Sequence, residues 1–176
     1  MNHKKKEKVH RLLSPDEFAD TIYDITPEFL SDWEIKALIL DIDNTLAPYD
    51  VPSPDAKLVS HLEKITTLGV KIALVSNNNA SRVQLFNETL GFFSIPKSGK
   101  PYGKGIRRCI EYLGENKDNI LLVGDQLYTD VLGAHHNGIR AVVVKPIKEK
   151  ENTFFKIKRL AERPFLKYYR KKREKQ

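Results

Sequence analysis

The sequence predicts an α/β protein, a three-layer sandwich with a mostly parallel central sheet. Three observations point there. Short apolar runs at 37–40, 70–75, 119–123 and 139–144 read as strands buried on both faces. Stretches with helical spacing separate them, several closed by glycine (Gly69, Gly91, Gly138). Three of the runs stop at polar side chains: Asp41, Ser76 and, one residue past Gly124, Asp125. Strands alternating with helices at this rhythm favour βαβ units.

In chain order, residues 1–11 form a basic, polar lead. Ser14-Pro15-Asp16-Glu17 has the form of a cap followed by a helix start, and Ile25-Thr26-Pro27-Glu28 repeats it ahead of a short helix over 27–33. Residues 37–40 form the first strand. Ser53-Pro54 opens a helix with Asp55 in its first turn and Leu58, Leu62 and Ile65 on one face. A second strand spans 70–75, a helix 80–90, and a short third strand 92–96. Residues 97–101 are a loop, followed by a helix over 102–113. The fourth strand covers 119–123, a helix 128–137, and the fifth strand 139–144. There is no internal repeat.

At 176 residues, with 40% apolar and 30% charged residues, the chain is sized for one domain with a full core. A single cysteine, Cys109, excludes an internal disulfide framework and suits a reducing compartment. No apolar run reaches the roughly 18 residues that would span a bilayer. No apolar stretch follows the first lysines, which argues against a secretory signal. The expected location is cytoplasmic, with peripheral contact at the inner membrane face. The net charge of +7 divides unevenly: +4 in residues 1–11, +9 in residues 145–176, and −6 between. Three segments follow: a lead with short helices (1–35), a core (36–145), and a basic aromatic tail (146–176). In the tail, Phe154, Ile157, Ala161, Phe165 and Tyr168 share one helical face, and Pro164 should kink it.

The chemistry centres on Asp41-Ile42-Asp43. Two carboxylates this close repel each other and call for a cation. Mg²⁺, which prefers oxygen ligands, fits. A calcium loop would need Gly in place of Leu46 and Glu in place of Pro52. In a parallel sheet Asp41, Asp43, Ser76, Asn77 and Asp125 converge on one edge, where ligands bind. A loop adds Lys100, and Asp130 follows Asp125 by five positions. Four carboxylates, a hydroxyl, an amide and an ammonium are equipment for phosphoryl transfer through an aspartyl-phosphate. One carboxylate would attack phosphorus, and its neighbour would protonate the leaving oxygen and later deprotonate water. Ser76, Asn77 and Lys100 would hold the remaining phosphate oxygens. Asp125 would complete the metal site, and Asp130 would support metal-bound waters or hold Lys100.

Asp41-Ile42-Asp43-Asn44-Thr45, Ser76, Lys100-Pro101 and Gly124-Asp125-Gln126-Leu127-Tyr128-Thr129-Asp130 resemble the four ordered motifs of the haloacid dehalogenase-like (HAD) phosphatases. That resemblance implies a HAD-like, Rossmannoid fold with Asp41 as nucleophile and Asp43 as general acid/base. It also implies Mg²⁺ held by Asp41, Asp125 and the Asp43 backbone carbonyl, with the phosphoryl group bound by Ser76 and Lys100. Thr45 and Asn77 join the expected phosphate binders. Only 24 residues (46–69) separate the first acidic loop from the second strand, too few for a cap domain. An uncapped site suits a large substrate. The segment Ile22-Tyr23-Asp24-Ile25, Leu40-Asp41-Ile42-Asp43-Asn44-Thr45-Leu46 and Val75-Ser76-Asn77-Asn78-Asn79 resemble the YqeG-type, subfamily IIIA members. Relatives of these include phosphatidylglycerophosphate phosphatases, so the resemblance implies a phospholipid substrate. A soluble phosphometabolite or a phosphoprotein is the alternative.

The basic aromatic tail fits either an anionic membrane surface or the protein's own core. RNA or ribosome binding on a HAD scaffold is a reading of another class. Asn78 and Asn79 suit a helix cap or substrate contact. Tyr49 and Tyr128 suit the substrate entrance. His135-His136 point in different directions on a helix and do not make a zinc site.

Overall fold

The computed structural model describes residues 12–148; the N-terminal lead and most of the basic tail lie outside the described residues, as do the expectations placed on them. Six parallel strands form one sheet: β1 Glu17–Ala19, β2 Ala37–Asp41, β3 Lys71–Val75, β4 Phe93–Ile95, β5 Ile120–Gly124 and β6 Arg140–Val144. Their spatial order is β1-β6-β5-β2-β3-β4. The chain steps outward from β2 through β3 to β4, then returns to the other side of β2 for β5 and β6. The sheet therefore changes winding direction between β2 and β5, the place where open α/β sheets bind ligands.

Helices cover both faces. On one lie α1 (Pro27–Asp32), α2 (Ala56–Thr67) and α3 (Ala80–Asn87). On the other lie α4 (Gly105–Leu113) and α5 (Leu132–Asn137). The period-two pleat divides β2 between them. Leu38 and Leu40 pack with Leu58, Leu62, Ile65, Val83 and Phe86. Ala37 and Ile39 pack with Ile106, Cys109, Leu113, Val131 and Ala134. Every residue of β2 and β5 is buried, which is why their sequences show apolar runs and no alternation. Caps fix the helix ends: the Asp55 carboxylate accepts from Leu58 N at 2.7 Å to start α2, and Gly69, at φ 82°, follows its end.

The structure corrects three local expectations. Asp16-Glu17 does not start a helix. Glu17–Ala19 is an edge strand paired with Val142–Val144, so the sheet reaches into the segment expected to precede the core. Asp16 N donates to Ala141 O (2.9 Å), and Ala141 N donates back to the Asp16 carboxylate (2.8 Å). That long-range pairing overrides a local cap signal. Secondly, the helix expected from residue 102 begins only at Gly105, because residues 98–104 close a tight loop. Gly103 N donates to Gly99 O at 2.6 Å, and a β-carbon on Gly103 would lie 2.2 Å from Ser98 O. Thirdly, α5 is preceded by a wide π-helical turn, Leu127–Val131.

Candidate active site

Strand register sets the site's frame. Asp41, the last residue of β2, sits opposite Val75, so Ser76 lies one residue beyond it. On the other flank Leu40 pairs with Val123, which puts Gly124 and Asp125 level with the same end. Asp41, Asp43, Thr45, Ser76, Lys100, Asp125 and Asp130 are all buried.

The centre is an ion cluster. Lys100 Nζ donates to Asp41 Oδ1 (2.6 Å) and Asp130 Oδ1 (2.7 Å), with Val75 O at 3.4 Å. The carboxylates of Asp41, Asp125 and Asp130 each place an oxygen within 4.8 Å of the others. Thr45 Oγ1 donates to Asp41 Oδ2 at 3.2 Å. Asp130 reaches the cluster because the π-helical turn carries it back over β5. There its second oxygen accepts from Gln126 N at 3.1 Å. Gly124 makes room: a β-carbon there would meet Asp130 Cγ at 2.4 Å. Wide turns of this kind recur at functional sites.

Two buried carboxylates share one ammonium. Burial pushes the Asp41 carboxyl up to about 7; Lys100 opposes the shift, and Asp130 and Asp125 reinforce it. Burial alone would lower Lys100, but Asp130 and Asp41 outweigh it and hold the ammonium above its ordinary range. A divalent cation fits this donor set. The cluster offers hard oxygen ligands, and a bound cation would add to Lys100 in favouring the ionised Asp41 carboxyl that burial disfavours.

Asp43 belongs to a neighbouring group. Its Oδ2 accepts from Asn78 Nδ2 (3.0 Å) and Ser76 Oγ (3.5 Å). Its Oδ1 lies 3.4 Å from Arg82 Nε. Asn44, at φ 66°, turns the chain after Asp43, and Ile42 O collects the amides of Thr45, Leu46 and Ala47. Asn is among the few side chains that tolerate such a backbone.

Asn77 is placed differently from expectation. Its Oδ1 accepts from Lys100 N (2.8 Å) and Ser98 Oγ (2.7 Å), and its Nδ2 donates to Lys100 O (3.1 Å). The side chain shapes the lysine loop, leaving little for a phosphate. Asn79 caps α3 by accepting from Arg82 N at 2.9 Å. Tyr49 is exposed beside the site, and Tyr128 packs on the α4–α5 core layer. The histidines part company: His135 meets Asp16 and Leu12 O, whereas His136 stacks edge-on against Tyr102.

Sequence reading missed Arg82 as a site residue. One signal was present: a cation in the first turn of a helix opposes the helix dipole and needs a nearby anion.

The chain is similar to known proteins in sequence and in fold. A family described as HAD-hydrolase-like matches residues 97–155. A Bacillus subtilis protein described as "Probable phosphatase YqeG" is 39% identical over 158 residues, covering 90% of this chain and 92% of its own length. Among solved structures, a hypothetical protein from Xanthomonas campestris is similar at TM-score 0.52 and 16% identity, covering 70% of this chain and 72% of its own. The cobalt-bound deoxy-D-mannose-octulosonate 8-phosphate phosphatase of Haemophilus influenzae is similar at TM-score 0.51 and 14% identity, covering 64% and 79%. These two likenesses concern the fold.

Proposed function

Because the chain belongs to the HAD-like hydrolases and is a phosphatase of that superfamily, we propose that it hydrolyses a phosphomonoester through phosphorylation of Asp41, with Mg²⁺ as cofactor and a phospholipid head group such as phosphatidylglycerophosphate as substrate. The observation that carries the mechanism is the buried cluster in which Lys100 bridges Asp41 and Asp130 beside Asp125. Asp41 and Asp125 would hold the metal by their carboxylates and Asp43 by its backbone carbonyl, with Asp130 in support. The bound ion would neutralise phosphate charge and favour the ionised nucleophile.

The chain's own groups take up the remaining tasks. Asp41 supplies the attacking oxygen. Lys100, fixed by two carboxylates, presents its ammonium to a phosphoryl oxygen without needing to reorganise. Thr45 and Ser76 contribute hydroxyl donors at the strand ends. Asp43 protonates the departing oxygen, then takes a proton from the water that hydrolyses the aspartyl-phosphate. Both stages use one carboxylate, first as acid and then as base.

The substrate reading rests on openness. The connection from β2 to β3 holds only a loop and α2, leaving no cap over the site among the described residues. Tyr49, Val51 and Ile147 are exposed in loops following β2 and β6. Apolar side chains beside an open phosphate site suit a phosphate carried on an acyl-chain lipid at a membrane surface. No helix among the described residues is long and apolar enough to cross a membrane.

The test is phosphate release from lipid, sugar, nucleotide and phosphoprotein substrates, with and without Mg²⁺. Phosphatidylglycerophosphate in vesicles should be turned over fastest, and only with the metal. Asp41→Asn should abolish release while leaving the circular dichroism spectrum unchanged. Turnover by that variant would remove Asp41 as nucleophile, and a strong preference for a soluble ester would remove the lipid.

A further inference from the structure

We propose that Arg82 is a positioning residue that fixes the carboxylate of Asp43 for proton transfer, leaving Asp43 Oδ2 as the oxygen that carries the proton. The inference rests on the phosphatase reading above and assigns a task to a residue outside the four motifs.

Arg82 lies in the first turn of α3, with its side chain only 11% exposed. Its guanidinium reaches across to the acidic loop. One terminal nitrogen donates to Pro52 O (3.2 Å) and the other to Pro48 O (3.4 Å). Nε faces Asp43 Oδ1 at 3.4 Å. The two facing atoms are both buried and make no directed hydrogen bond. They are held by charge alone, which is strong where water is excluded. A buried guanidinium without an anion would be costly, so Asp43 and Arg82 need each other.

The two oxygens of Asp43 are therefore unequal. Oδ1 is sealed against Arg82 and lacks the exposure that exchange with a substrate requires. Oδ2 lies on the side of Ser76 and Asn78, from which it accepts at 3.5 and 3.0 Å. Proton exchange with the leaving oxygen runs through Oδ2, and Arg82 sets the carboxylate's rotation from behind. The same guanidinium pins the carbonyls of Pro48 and Pro52. This couples the acid/base to the loop over 48–52, in a site that has no cap among the described residues. Misplacing a catalytic group by about an ångström can cost a hundredfold in rate.

The test uses leaving-group dependence, which a purely structural residue would not alter. Phenyl phosphate and 4-nitrophenyl phosphate have nearly the same shape. The first needs a proton on its leaving oxygen, whereas the second leaves as the anion. The ratio kcat/KM reports events up to departure of the leaving group, before aspartyl-phosphate hydrolysis. Arg82→Ala should lower kcat/KM for phenyl phosphate at least tenfold more than for 4-nitrophenyl phosphate, following the selectivity of Asp43→Asn. Arg82→Lys keeps a buried cation but has a single nitrogen for three partners, so it should show the same selectivity at smaller amplitude. It serves as the reporter if the alanine variant does not fold. Equal losses on both esters, or none, would overturn the positioning role. Wild-type protein that released phosphate from neither ester, while Mg²⁺ was present, would instead overturn the phosphatase reading beneath it.

Discussion

Lys100 is the residue on which the ion cluster turns. It is buried, it holds Asp41 at 2.6 Å and Asp130 at 2.7 Å, and it is the cation the two share. Breaking a buried pair by removing one partner leaves uncompensated charge, at a typical cost of about 3–5 kcal/mol. Lys100→Met should therefore lower the urea unfolding free energy of metal-free protein by about that amount. The converse holds for the cation the cluster accommodates. Adding Mg²⁺ to metal-free wild type should raise its thermal midpoint, equivalent to about 2.7 kcal/mol when the free ion is a hundredfold above its dissociation constant. Asp125→Asn should remove most of that rise in a calorimetric scan. The same ion would draw the Asp41 carboxyl down from about 7 toward its ordinary range, ionising it for attack.

Among the elements, those with strong internal patterns were legible and those made by distant partners were not. Leu58, Leu62 and Ile65 announce α2, and all three are buried. The apolar runs of β2, β3, β5 and β6 announce the central strands. Glu17–Ala19 carries no such pattern; it is a strand because Val142–Val144 offers a free edge more than a hundred positions later. The π-helical turn was hidden for a related reason, since it exists to seat Asp130 against Gly124 and Lys100. The motif residues were readable because their order and spacing place them at the ends of strands that a parallel sheet brings to one edge. The partners of Asn77 and Arg82, by contrast, depend on which carbonyl or carboxylate the folded chain brings to them. The edge strand also gives a pH prediction. Burial raises the Asp16 carboxyl, but the His135 and Ala141 hydrogen bonds outweigh it, leaving it below its ordinary 3.8. A depressed carboxyl contributes stability that is present above the unfolded value and is lost as pH falls through the folded one. Below pH 3.8, wild type should lose thermal stability more steeply than Asp16→Asn in scans taken at successive pH values.

At the scale of the whole molecule, charge and openness act together. The carboxyl edge of the sheet is acidic at its centre, and the chain beyond residue 144 carries +9. On the lipid reading, an enzyme cut after Lys150 should keep its rate on soluble aryl phosphates and lose it on phosphate displayed by anionic vesicles. Equal rates on both before and after the cut would disconnect the tail from substrate delivery. The order β1-β6-β5-β2-β3-β4 has one more consequence. Asp41 ends β2, whereas Ser76, Lys100 and Asp130 lie on the three connections that follow β3, β4 and β5, so the last of them comes after the strand that flanks β2 on its other side. On the proposed mechanism, a chain still emerging from the ribosome should have no working fragment, with phosphate release expected only once β5 and Asp130 have joined the sheet.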